Sequence, residues 1–118
     1  MGNPFVYVQL QSQNLQEAKK FYSELLDWKL EESPDAMSSY TEIVVGEGTA
    51  GGMMMCPSPQ MLSQWLPYVG VDDVEEVTRR AEALGAKVIL GPAEVPGKGK
   101  YSIVLDPAGT NIALWQAS

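Results

Sequence analysis

Trp65-Leu66-Pro67-Tyr68-Val69-Gly70-Val71-Asp72-Asp73-Val74, continuing through Glu75 to Leu84 and into Gly85-Ala86-Lys87-Val88, reads strand, turn, helix, turn, strand. Tyr68 to Val71 is rich in the residues that suit a pleated strand. Asp72-Asp73 can cap a helix, and Val74, Val77, Ala81 and Leu84 then recur on one helical face. Gly85 follows the last periodic residue, where a positive φ commonly closes a helix. An earlier part of the chain has the same plan. Val6-Tyr7-Val8-Gln9-Leu10 leads through Asn14-Leu15 into a helical pattern from Gln16 to Leu26, then Asp27-Trp28-Lys29-Leu30. Self-similarity on this scale marks a repeat architecture.

Working outward, the first copy opens with a strand from Phe5 to Leu10 and a turn at Gln11-Ser12-Gln13-Asn14. Asn14 and Glu17 stand in a capping-box relation, and Leu15, Ala18, Phe21, Tyr22, Leu25 and Leu26 give an amphipathic helix. Strands follow at Trp28–Glu32, Tyr40–Val45 and Ala50–Cys56, with a turn at Ser33-Pro34-Asp35. Pro57-Ser58-Pro59-Gln60 interrupts the chain before the second copy. There, strands are expected at Ala86–Leu90, Tyr101–Leu105 and Asn111–Gln116, with Gly91 to Gly99 as a Gly- and Pro-rich loop and Glu94 to Lys100 either a lid able to move over the cleft or a mobile connector. The offset that carries Gly48-Thr49 onto Gly109-Thr110 also carries Tyr7 onto Tyr68 and Gly52 onto Ala113. The expected fold is α+β: one domain of two tandem βαβββ modules, 4–56 and 65–118, joined by a linker at 57–64. Each module has one helix for four strands, so a sheet face is left bare. Pairing of the modules would bury it in a curved mixed sheet around a cleft, formed within one chain or across a swapped dimer.

Composition narrows the chemistry. With 8 basic against 15 acidic residues the net charge is −7, which repels phosphate backbones and argues against nucleic acid as a partner. No apolar run is long enough for a membrane span, and Met1-Gly2-Asn3-Pro4 carries no basic signal region, so the expected location is cytoplasmic. A single cysteine, Cys56, permits no intrachain disulfide. The chain has no histidine. That removes the commonest general base, the commonest metal ligand and the Ser-His and Cys-His nucleophile pairs.

Alternation along the strands selects the candidate ligand contacts. Tyr7 and Gln9 share a face opposite Val6, Val8 and Leu10. Met54 falls with Gly52, whereas Met53 and Met55 point the other way. Asn111 and Trp115 fall with Ala113, whereas Ile112 and Leu114 face the helix layer. The set Tyr7, Gln9, Met54, Tyr68, Asn111 and Trp115 would give an apolar, aromatic pocket with a few orienting polar groups. The same residues also serve as ordinary inward-facing space fillers. Trp65 has the same two readings, and Lys98 and Lys100 are cations able to meet an anion or simply face solvent.

Phe21-Tyr22-Ser23-Glu24-Leu25-Leu26-Asp27-Trp28, Val71-Asp72-Asp73-Val74, Ala83-Leu84-Gly85-Ala86, Asp106-Pro107-Ala108-Gly109-Thr110-Asn111 and Leu114-Trp115-Gln116 together resemble the vicinal-oxygen-chelate superfamily of glyoxalases, bleomycin-resistance proteins and extradiol dioxygenases. The resemblance runs from Pro4 to Gln116. It implies paired βαβββ modules, a cleft and a homodimer. It also implies a divalent metal held at four inward strand positions by His, Glu or Gln. Those positions fall here on Tyr7, Gly52, Ala113 and either Leu66 or Tyr68, according to whether register follows the helices or the repeat. None supplies a usual ligand, so no metal and no cofactor is expected. The resemblance then implies a metal-free binding protein of the bleomycin-resistance type that sequesters or senses a small apolar or aromatic molecule. The alternative is a glyoxalase-like metal-dependent isomerase or lyase with non-standard ligands.

Overall fold

A computed structural model describes residues 2–32 and 40–118. The turn expected at Ser33-Pro34-Asp35 lies outside the described residues. Among these, the order of elements is β1 Phe5–Ser12, α1 Leu15–Leu25, β2 Lys29–Glu32, β3 Thr41–Val44, β4 Gly51–Met55, β5 Gln64–Gly70, α2 Val74–Ala83, β6 Lys87–Val95, β7 Gly99–Leu105 and β8 Asn111–Ala117. The βαβββ order expected from the repeat is therefore present twice, and the class is α+β. No helix among the described residues is long and apolar enough to cross a membrane. The chain divides into two compact units, Tyr7–Leu66 and Pro67–Ser118, the latter together with the residues ahead of Tyr7.

In the Tyr7–Leu66 unit the strand order is β2-β3-β4-β1. β1 and β4 run parallel, with Gln9 opposite Gly52, and the other neighbours are antiparallel. Gly51 permits the β1–β4 approach, since a Cβ there would lie 2.7 Å from the Val8 carbonyl oxygen. Leu10, Leu15, Ile43 and Met53 form the core against which Ala18 and Tyr22 of α1 pack. Only part of the apolar pattern of α1 is used. Phe21 and Leu25, four residues apart, remain 56% and 61% exposed, because the Leu15–Ala18–Tyr22 stripe faces the sheet and theirs lies beside it. Met53 is fully buried on the helix side as alternation requires, but Met55 at the strand end is largely exposed.

The Pro67–Ser118 unit repeats this plan with the order β5-β8-β7-β6. β5 and β8 are parallel with Tyr68 opposite Ala113, and β8–β7–β6 is antiparallel. Val74, Val104 and Leu114 form the core beneath α2, with Val77, Ala81 and Ile112 packed around them. Leu84, expected on that face, is instead the helix C-cap and exposed. A buried hydroxyl pair, Thr78 on α2 and Ser102 on β7 at 2.8 Å, fixes the helix on its sheet. The ladder from β5 to β8 begins at Tyr68, one residue after Pro67, so that ladder requires no donor of the proline.

Local chemistry explains the ends of the helices. The Asn14 and Asp73 carboxamide and carboxylate accept the amides of Glu17 and Glu76 at 3.1 and 3.2 Å. The expected capping box at Asn14 is only half made. The Asn14 amide donates to the Ser12 hydroxyl at 3.1 Å in place of the Glu17 side chain. Gly85 takes φ +105, as its place after α2 requires.

The segment expected as a loop and lid is a hairpin, with strand on both sides of a turn at 96–98. β6 continues to Val95, paired with β7 through Ala93↔Tyr101, Glu94↔Lys100 and Val95↔Gly99. Two register irregularities between Val88 and Ala93 absorb the Gly91-Pro92 step that reads as a breaker in the sequence. Lys100 thus sits opposite Glu94 within the hairpin rather than in a loop.

Candidate functional site

In the Tyr7–Leu66 unit, β1 runs two residues past its expected end and brings Gln11 onto the face of Tyr7 and Gln9. Gln9 and Gln11 are 8% and 2% exposed, so their amides need internal partners. They find them in a single file. Gln64 Nε2 donates to Gln11 Oε1 at 3.2 Å, Gln11 Nε2 to Gln9 Oε1 at 3.0 Å, and Gln9 Nε2 to the Tyr40 hydroxyl at 3.3 Å. The Tyr40 hydroxyl is in turn hydrogen-bonded to that of Tyr7. All three amides point their N–H ends toward the phenol pair.

The two hydroxyls lie over Gly52. A Cβ at this position would overlap both phenol oxygens, so glycine is what gives the pair its room. Gly52 lies between Gln9 and Glu42 in the ladder, and Met54 is the partner of Gln11 on the same face. Burial holds the Tyr40 phenol above its ordinary pKa; bonds from Tyr7 and Gln9 act against that shift, and the Glu42 carboxylate adds to it. Tyr40 therefore keeps its proton at neutral pH.

The corresponding face of the Pro67–Ser118 unit is aromatic. Tyr68, 7% exposed, has its ring centroid 6.3 Å from Tyr101 and 6.4 Å from Trp115. Tyr101 and Trp115 are cross-strand partners, and the adjacent pair Ile103–Ala113 is buried beneath. Gly99 clears space for the indole, since a Cβ there would lie 2.8 Å from Trp115 Cζ2. Asn111 is half-buried opposite Leu105 at the start of β8.

Expected residues thus fall into two groups: Tyr7, Gln9 and Met54 on one face, and Tyr68, Asn111 and Trp115 on another. Trp65 joins neither. Its indole N–H bonds the Tyr22 hydroxyl at 3.2 Å and its ring packs on Tyr22 and Trp28, on the α1 side of the first unit. The ladders also correct the repeat register. Tyr68 is opposite Ala113 as Gln9, not Tyr7, is opposite Gly52. The offset of the two N-caps, Asn14 and Asp73, agrees and places Leu66 as the counterpart of Tyr7.

Four participants escaped the sequence expectation: Gln11, Tyr40, Gln64 and Tyr101. Tyr40 and Tyr101 were within reach of it, since the offset that relates Gly48 to Gly109 relates them too. Gln11 fell in a segment that reads as turn, and Gln64 precedes the expected strand.

The family-type metal positions do not fit a divalent cation. Gly52 and Ala113 carry no donor, and Leu66 is apolar and fully buried. Tyr7 is engaged with Tyr40 over Gly52. Among the described residues no group of three or more His, Cys, Asp or Glu is placed to bind a metal. Two surface recesses of 360 and 330 Å³ flank α1 and α2, and none of the six expected ligand contacts lines them.

The family model for the Glyoxalase/Bleomycin resistance protein/Dioxygenase superfamily matches residues 5–114. A Mycobacterium tuberculosis protein provisionally named glyoxylase CFP32 is 34% identical over 74 residues, 63% of this chain and 28% of that protein. The anthracycline biosynthesis protein DnrV of Streptomyces peucetius is 38% identical over 52 residues, 44% of this chain and 19% of that protein. The chain therefore matches less than a third of the length of either relative. A glyoxalase/bleomycin resistance protein/dioxygenase superfamily member from Vibrio splendidus has the same fold, with a TM-score of 0.67 at 16% identity, covering 98% of this chain and 99% of that one.

Proposed function

Because the chain belongs to the glyoxalase/bleomycin resistance protein/dioxygenase superfamily, we propose that it is a metal-free member that binds a small aromatic compound. The observation that carries this reading is the phenol pair over Gly52. It fills with organic hydroxyls the room that a glutamate ligand at 52 would need. The aromatic group Tyr68, Tyr101 and Trp115 supports the ligand class, since such a surface favours planar compounds through stacking and apolar burial. The anthracycline link of DnrV is consistent with a planar ligand. Binding is expected to involve Tyr68, Asn111 and Trp115 in one unit and Tyr7, Gln9 and Met54 in the other. The active species is proposed to be a homodimer.

Two measurements test this. Protein purified without chelators should hold no stoichiometric divalent ion by elemental analysis; one Ni, Zn, Fe or Mn per chain overturns the metal-free reading. Planar aromatic compounds should quench tryptophan fluorescence saturably, and Trp115→Ala should weaken that binding by about tenfold or more. Unchanged affinity in Trp115→Ala removes the aromatic face from the proposal.

A further inference from the structure

The file of amides in the Tyr7–Leu66 unit has a direction. Gln64, Gln11 and Gln9 each donate toward the next residue, and the last donation falls on the Tyr40 oxygen. Gln11 uses both ends of its amide and is 2% exposed, so its orientation is tied to those of Gln9 and Gln64. Aligned hydrogen bonds polarise one another in a low-dielectric setting. The two phenols hold two protons, and one closes the bond between them. The other is directed out of the pair, whichever oxygen carries it. With the Gln9 N–H on the Tyr40 oxygen, that outward proton is a strengthened donor.

The surroundings select what such a donor accepts. Tyr7 and Tyr40 are half-buried at one end of the file and Gln64 is half-buried at the other, whereas Gln9 and Gln11 between them are buried, so the pair is a reachable end and the one toward which the amides donate. Glu42 is the ladder partner of Gly52, directly beneath the hydroxyls, and the chain carries a net charge of −7. A carboxylate or phosphate would meet like charge there. A neutral carbonyl oxygen would not.

We propose that the Tyr7–Tyr40 hydroxyl pair, oriented by Gln9, Gln11 and Gln64, recognises a neutral ketone or quinone oxygen on the small molecule. The ligand oxygen takes the outward phenol proton in exchange for its present partner. This rests on the small-molecule reading above and narrows its ligand class to aryl carbonyl compounds. Gln9 and Gln11 act as positioning residues, because they reach the ligand only through Tyr40.

The test is calorimetric titration of the full chain with neutral matched probes, 9-fluorenone against fluorene and xanthone against xanthene. Within each pair the members differ in a carbonyl oxygen. The ketones should bind roughly tenfold tighter than the parent compounds. Tyr7→Phe and Tyr40→Phe should each reduce that preference severalfold, and the double variant should abolish it. Affinity for fluorene and xanthene should stay the same, which a general loss of structure would not allow. Gln11→Leu should weaken the preference partially. Equal binding of ketone and parent compound by the wild type overturns the carbonyl assignment and leaves the small-molecule reading intact. So does a ketone preference that survives in the double variant. Absence of binding by all four probes overturns both.

Discussion

Gln9 is the parallel-ladder partner of Gly52, and the hydroxyl that its side chain reaches, that of Tyr40, covers the same glycine. One small residue therefore governs a whole polar cluster. Its lack of a side chain lets two phenols meet above the sheet, and the phenols give the buried amides somewhere to end.

Gly52→Ala should destabilise the protein by about 1–3 kcal/mol, since the added methyl overlaps both hydroxyls and must displace them. Removing the hydroxyls should relieve this. In a Tyr7→Phe/Tyr40→Phe background the same alanine should cost less, with a remainder from the ring carbon Cζ of residue 40 that it still meets, and urea denaturation of the four species gives the coupling directly. Strict additivity would mean that Gly52 is needed for its backbone and not for the phenols.

Tyr40 should ionise later than an ordinary tyrosine. Its folded pKa lies above the ordinary 10.0, chiefly through burial. A phenol whose pKa is raised on folding stabilises the folded state below the unfolded pKa, and that contribution disappears as pH rises through the folded value. Stability should accordingly fall above about pH 10, and the fall should be shallower in Tyr40→Phe. Ultraviolet difference titration at the phenolate band should lose a phase lying above the ordinary tyrosine value in the same variant.

Asp106 sets the acid side. Its carboxylate accepts the amides of Thr110 at 3.0 Å and Ala108 at 2.8 Å, and these bonds hold it below the usual carboxylate pKa. A depressed folded pKa gives a contribution that is complete above the unfolded value and lost as pH falls through the folded one. Between pH 7 and about pH 5 the melting temperature should be insensitive to this residue. Below about pH 4 it should drop more gently in Asp106→Asn, which keeps the turn's acceptor oxygen without the titration. An unchanged acid limb would exclude Asp106 as its source.

Much of the fold is legible in the chain because its signals are local. N-cap residues at Asn14 and Asp73, helical periodicity after each and alternation in the strands all act over a few residues, and the repeat supplies each twice. The faces follow from the same alternation, which places Met53 in the core and Gln9 and Tyr68 opposite it. What could not be read depends on distant partners. Gly91-Pro92 reads as a breaker until β7 is present to pair around it. Trp65 reads as a pocket residue until the Tyr22 hydroxyl, on another element, claims its indole. The direction of three amides is set by neighbours on β1, at the start of β5 and ahead of β3, and no spacing in the sequence encodes it. Tyr40 and Tyr101 lie between these cases. The repeat marks them as equivalent, but only the ladders show that one ends a hydrogen-bonded file and the other faces an indole.

β6 is the outermost strand of its sheet, and at nine residues it would ordinarily offer a long row of unpaired backbone groups to any extended peptide. Its two register irregularities break that row into short pieces, and Pro92 removes a donor from the middle of it. Lys87 and Glu94 put charge near both ends. The same Gly-Pro step that disguises the strand in the sequence thus leaves the edge a poor template for strand addition.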